Sequence, residues 1–309
     1  MDPASIGMLA EDPLARKASS GAVEGRSPAW TVIKTILLIG LASSMTVPFV
    51  WMLLASFKLP HEADKPDFLP GEWKWNNYPI VLSLAPDTNG ERLPIHFGRW
   101  YFNSLFVASW VTFLQVVTSA MAAYAFARLQ WRGRDFVFLA YLATVMIPAV
   151  VLLIPNYYIM FRLGLLDSYL GLILPAAFSA FGTFLLRQFM LTIPTSLDEA
   201  AEIDGASRWQ IFVEVILPLS RPGLIVLAIF TFLGNYASFF WPLVMVKSDH
   251  LRTLPVGMMW FENLGGAGYG RQTELMMAAT VMNVVPLIIL FVILQRYLVR
   301  GIQLGAVKG

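Results

Sequence analysis

The chain has 309 residues, 57% of them hydrophobic and 14% charged, with a mean hydropathy of +0.63. Soluble domains carry about 25% charged residues, so this composition has too little polar surface to face water and suits lipid instead. A net charge of +2 with no run of like charges gives no footing for nucleic acid, and the absence of cysteine excludes disulfides and thiolate-bound metals.

Residues 1–29 are rich in Ala, Ser, Gly and Pro and read as a disordered tail. They hold no apolar run, so no secretory signal is expected at the extreme N-terminus. The first apolar run is too long for a signal core and lacks a cleavage site, so it is expected to stay as a span. A spanning helix needs roughly 20 largely apolar residues. Six segments meet that requirement, near 30–57, 101–127, 136–161, 169–189, 217–246 and 275–299. The predicted fold is all-α, a polytopic membrane protein with six transmembrane helices over residues 30–299 and a short tail at 300–309. Prolines recur within the runs at Pro48, Pro148, Pro155, Pro175, Pro242 and Pro286. A bundle tolerates them because neighbouring helices and hydroxyl side chains satisfy the freed carbonyls. Ser119, Ala120, Ala122 and Ala123 are small enough to let helices approach closely.

An even number of spans puts both termini on one side. Thirteen of the 22 lysines and arginines then fall on that side, most clearly Arg128, Arg132 and Arg134 around one tight turn. Positive charge in short loops marks the cytoplasm, so both termini are expected there. Two external segments follow, 58–100 and 247–274. The second carries the string GGAGYG, which follows no strand and reads as a flexible loop rather than a phosphate cradle. His61, His96 and His250 lie far apart in loop segments and read as surface residues, with no metal site among them.

Ion-driven carriers place carboxylates, histidines or paired charges inside the membrane, and the centres of these six runs have none. Sodium sites made of carbonyls and hydroxyls stay open. The chain also lacks G-x-x-x-x-G-K-[ST], the phosphate cradle of a nucleotide hydrolase. A pump built on this chain needs a motor on another chain, docked on the cytoplasmic face. The cytoplasmic loop at 190–217 offers a docking element. Ser196 with Glu199 and Ser207 with Gln210 each fit a capping box, and Gly205 between them suits a left-handed helix end. Asp198, Glu199 and Glu202 favour a helix start through its dipole. Ala200 and Ala201 leave a low surface, and Arg208 and Trp209 are residue types enriched at interfaces. On composition alone, an ordinary surface helix between spans fits this stretch equally well.

The string EAAEIDGASRWQIFVEVILPLSRP resembles the signature loop of permeases of binding-protein-dependent ABC importers. The pattern runs Glu199-Ala200-Ala201, three intervening residues, Gly205, then Val215 and Leu217-Pro218, with valine where isoleucine is commonest. PFVWMLLASFK, FLPGEWKWNNY, YFNSLFVAS, AAYAFARL and LLRQFMLTIP resemble the carbohydrate-uptake class of that family. QRYLVRGIQLGAVKG resembles the C-terminus of the second permease in maltose-type systems. The resemblance covers the chain from about residue 30.

It implies the type I importer permease fold in the plasma (inner) membrane of a prokaryote. It also implies a second, non-identical permease, two ATPase subunits carrying ATP and Mg, a solute-binding protein outside, and no cofactor on this chain. The loop residues Glu199, Ala200, Ala201, Asp204, Gly205, Arg208, Leu217 and Pro218 would couple the chain to the ATPase. In that role Glu199 anchors the loop, Ala200 and Ala201 pack in the ATPase cleft and Gly205 permits the bend. The sequence departs from the family in its fifth run. A Trp-Asn-acid triplet is common before Phe-x-Trp-Pro-Leu, but Tyr236-Ala237-Ser238 stands here before Phe239-Phe240-Trp241-Pro242-Leu243. Asn235, Tyr236 and Ser238 are therefore the local candidates to line a solute path, with interhelical hydrogen bonding as the other reading. The solute class left open spans mono-, di- and oligosaccharides and glycerol phosphate. Two readings outside this class are a secondary carrier and a structural membrane protein without transport.

Overall fold

A computed structural model describes residues 28–87, 90, 92–263 and 272–306, with side chains from Ala29 to Gln295. The tail at 1–27 and the GGAGYG string lie outside the described residues. Among the described residues there are helices and turns but no strands.

Residues through Trp51 form a unit of their own. Its described residues belong to helix α1, Pro28–Ala55. Leu37, Leu38, Ile39, Leu41 and Phe49 are all exposed, so α1 is apolar around its circumference and unburied, which fits a helix solvated by lipid or another chain. Its hydroxyls bond back to their own helix, Thr35 to the Thr31 carbonyl at 2.9 Å and Thr46 to that of Ala42 at 2.8 Å. These two hydroxyls therefore have partners without water.

The second unit starts at Met52. Just after α1 the fully buried Lys58 donates its ammonium to the carbonyls of Lys65 and Asp67. The Asn77 amide donates to the carbonyls of Ser56 (2.9 Å) and Lys58 (3.0 Å). The Phe57 ring sits 5.5 and 4.6 Å from those of Trp73 and Trp75. These contacts give the segment before α3 its own small structure, which includes the short helix α2, Asn77–Val81. Helix α3, Phe97–Ala127, is the centre of the unit and packs on α7, Ala180–Leu191, and on α10, Arg221–Tyr236. Ser119, Ala120 and Ala123 are buried at these crossings. Gly182 is needed where α7 meets α3, because a Cβ there would lie 2.6 Å from Ser119 Oγ.

Pro148 and Pro175 sit at breaks in their runs, whereas Pro48 and Pro286 lie inside unbroken helices. Run 136–161 does not form one helix. It gives α4, Arg134–Ala143, a 3-10 turn at Thr144–Met146 and α5, Leu153–Arg162. Pro148 forces its predecessor Ile147 out of the helical region, to ψ 117°. Run 169–189 is α6, Tyr169–Ile173, a 3-10 turn through Pro175, and then α7, with a 46° bend. The loop helices are α8, Ser196–Ile203, and α9, Arg208–Leu219, which meets α10 at 75°. Leu217 thus belongs to the loop side of that bend, not to the start of the fifth run. The fifth run breaks again before α11, Phe240–Met245. After it come α12, Leu254–Asn263, and the long α13, Thr273–Ala306. Among the described residues, three helices (α1, α3 and α13) are long and apolar enough to cross a membrane, and five spans result if each bent pair counts as one.

Candidate functional site

The chain enters α8 one residue earlier than the predicted cap at Ser196. Thr195 already has helical angles (φ −67°, ψ −23°), and no side chain caps the helix. Ser196 therefore lies inside the first turn, and its expected capping box with Glu199 does not form. At the other end Gly205 has φ +84°, its N–H bonds the Glu202 carbonyl at 3.0 Å, and the N–H of Ala206 bonds the Ala201 carbonyl at 2.9 Å. This is a Schellman closure, and Ala201 and Ala206 both pack on the core beneath it. Helix α9 opens with the second predicted capping box. Ser207 Oγ accepts from the Gln210 N–H at 3.3 Å, and Gln210 Oε1 accepts from the Ser207 N–H at 2.8 Å. A π-helical turn follows at Ile211–Ile216. Pro218 has no N–H to donate to Glu214 four residues back, and its ring crowds that carbonyl, so a wider turn is the local solution.

The element has two faces. Its lower face buries Ile211, Phe212 and Ile216 against Tyr124, Leu186, Met190 and Leu227. Its upper face exposes Leu197, Glu199, Ala200, Asp204 and Arg208, together with Ile203 at 86% and Trp209 at 61%. Exposed apolar residues are common on this chain, but here they sit among charged side chains on one short element, which makes it a candidate contact surface. Of the predicted residues, Glu199, Ala200, Asp204, Gly205 and Arg208 lie on that surface. Ala201 does not, since it packs with Leu217 on the chain's own core, and Pro218 is half-buried. The Arg208 guanidinium pairs with Glu202.

The element is tied to two neighbours by polar contacts that motif reading missed. The Tyr124 hydroxyl donates to the Arg208 carbonyl at 3.0 Å. Arg128 Nη2 donates to the carbonyls of Met190 and Ile193, both at 2.7 Å, and its Nη1 lies 3.4 Å from Asp198 Oδ2. Burial pushes the Asp198 carboxyl upward, and the Arg128 charge opposes that shift. An arginine immediately after an apolar run was the available signal, but nothing in the sequence pairs it with Asp198, 70 residues later.

The second candidate group divides. Asn235 and Ser238 border a cleft of about 450 Å³, with Asn156, Pro175, Phe240 and Trp241 also on its wall. Tyr236 is turned away and buried, its hydroxyl donating to the Asn283 carbonyl of α13 at 3.1 Å. The cleft lies where three runs break, at 147–152, at 174–179 and at 237–239. Among the described residues no three His, Asp or Glu side chains gather as a metal site.

Residues 115–304 match the family described as "Binding-protein-dependent transport system inner membrane component". The chain belongs to that family. This permease is 32% identical over 287 residues to the arabinooligosaccharides transport system permease protein AraQ of Halalkalibacterium halodurans, covering 92% of this chain and 98% of the relative. It is 34% identical over 288 residues to the trehalose/maltose transport system permease protein MalG of Thermococcus litoralis, covering 90% and 98%. Its fold is similar to that of a chain from a bacterial ABC transporter involved in the import of the acidic polysaccharide alginate. The TM-score is 0.74 at 23% identity, over 94% of this permease and 99% of that chain.

Proposed function

We propose that this permease carries a sugar or related polyol across the inner membrane of a prokaryote, with ATP hydrolysed on a separate pair of ATPase subunits. The observation that carries the reading is the two-faced element α8–α9, with an exposed apolar upper face and a lower face locked to the ends of α3 and α7. Such an element can receive a push from outside and pass it inward. The relatives' names, which include arabinooligosaccharides and trehalose/maltose, support the solute class.

In this reading all six runs cross the membrane, the broken ones included, and both termini are cytoplasmic. A second, non-identical permease completes the pathway. The solute-binding protein delivers its load to the outer ends of the spans. The ATPase cleft receives Glu199, Ala200, Ile203 and Trp209, while Gly205 sets the angle between the two short helices. ATP-driven closure moves α8–α9, and the spans rock about the solute. Broken helices offer backbone polar groups within the membrane only where they are buried in protein or line a cavity. The cleft beside Asn235 and Ser238, where three breaks meet, is therefore the part of the path assigned to this subunit.

Reconstitution tests the reading. Liposomes holding both permeases, the ATPases and the binding protein should take up sugar only with internal or external ATP on the ATPase side. Uptake by the purified chain alone, driven by an ion gradient, would show it to be a secondary carrier.

A further inference from the structure

Arg128 caps α3, and its side chain is only 4% exposed, against 13% for Asp198. One guanidinium touches the end of α7 through Met190, the linker through Ile193 and α8 through Asp198. The carbonyl contacts are short at 2.7 Å, whereas the contact to the carboxylate is long at 3.4 Å. Arg128 Nε and Asp198 Oδ1 are both buried without a hydrogen-bond partner. They are a donor and an acceptor on two side chains already in contact. A small tilt of α8, or a turn of the carboxylate, can bring them together while Nη2 keeps its carbonyls. Separating the pair instead would strand a buried charge, the costlier course. On the same helix, four residues earlier, Tyr124 holds the Arg208 carbonyl of α9. Both halves of the element are thus fastened to one helix end.

We propose that Arg128 and Asp198 are the positioning pair through which displacement of α8 is delivered to α3, the pair changing its register as α8 tilts without coming apart. The inference rests on the reading of α8–α9 as the ATPase-coupling element. It adds the part of the chain that receives the motion.

The test uses the complete importer in liposomes and reads solute taken up per ATP hydrolysed. Arg128→Gln and Asp198→Asn should each lower that ratio about tenfold, a usual size for coupling between sites. The double variant should fall no further than the worse single, because either change removes the same link. Both side chains point inward, so the ATPases should still copurify. A merely structural pair would lower uptake and hydrolysis together and leave the ratio at its wild-type value. That result, or single losses that multiply in the double variant, overturns the proposal. If the neutral variants fail to assemble, Arg128→Lys keeps the charge but not the fork. It should give an intermediate ratio, and a wild-type ratio again overturns the proposal. Ile203→Asp tests the parent reading separately. ATPases that remain bound to it remove the coupling-element reading. Lost docking there, with an unchanged ratio in Arg128→Gln, removes only the role of the pair.

Discussion

Gly205 shows what one residue can decide. Its φ of +84° closes α8, yet a Cβ there would meet no atom within 4 Å. Any penalty on substitution is therefore conformational rather than steric, roughly 1–2 kcal/mol for a side chain that avoids the left-handed region. Gly205→Val should uncouple ATP hydrolysis from uptake while leaving membrane insertion intact, and Gly205→Asn should be tolerated, as measured by uptake per ATP in proteoliposomes. Unchanged uptake in the valine variant would sink this role. Asp167 is a second case, with φ +54°. The Ser248 hydroxyl foremost, then the N–H groups of Ser248 and Lys247, hold its carboxyl below the usual carboxylate range. A carboxyl lowered in the folded state contributes stability above its unfolded pKa and loses it as pH falls through the folded value. Thermal stability should therefore drop on acidification below about pH 4, and Asp167→Asn, which tolerates the same φ, should flatten that drop. The motif spacing made Gly205 legible in advance, whereas Asp167 was not, because its partners lie 80 and 81 residues away.

At the scale of elements, the docking role proposed for the loop rests on two short helices joined at Gly205 and packed on one core. Ser207→Ala removes the capping box and should cost about 1 kcal/mol locally, seen as faster amide exchange in α9 with little loss of bulk stability. Trp209 is 61% exposed yet is steadied by the Phe212 ring at 5.4 Å. Trp209→Ala should weaken ATPase docking by about 2 kcal/mol, the size of an interface hot spot. Full-strength copurification in that variant would place the contact elsewhere. The two predicted caps fared differently for a local reason. Ser207 follows a left-handed glycine and an alanine, so the helix must start afresh, while Pro194 leads directly into helical angles at Thr195 and leaves Ser196 inside the turn.

For the whole molecule, composition and the six apolar runs already excluded a water-soluble fold, and the signature spacing already named the family that residues 115–304 match. The solute path is a different matter. Asn235 and Tyr236 are neighbours in sequence, but a helix sends adjacent side chains about 100° apart, so one borders the cleft and the other bonds Asn283. Asn235→Leu combined with Ser238→Ala should raise the KM for uptake several-fold with ATPase docking unchanged, whereas Tyr236→Phe should alter stability more than KM. Equal effects on KM would remove the distinction. The sequence by itself determined the solvent of this protein, its helical class and the helix–glycine–helix form of the loop at 190–217, because apolar runs, caps and a left-handed glycine act over a few residues. Only the tertiary structure decided that breaks in three runs meet at one cleft, that Ala201 faces inward, and that Arg128 meets Asp198. Those outcomes depend on which buried groups find partners across distant helices, and short-range pattern carries no record of that pairing.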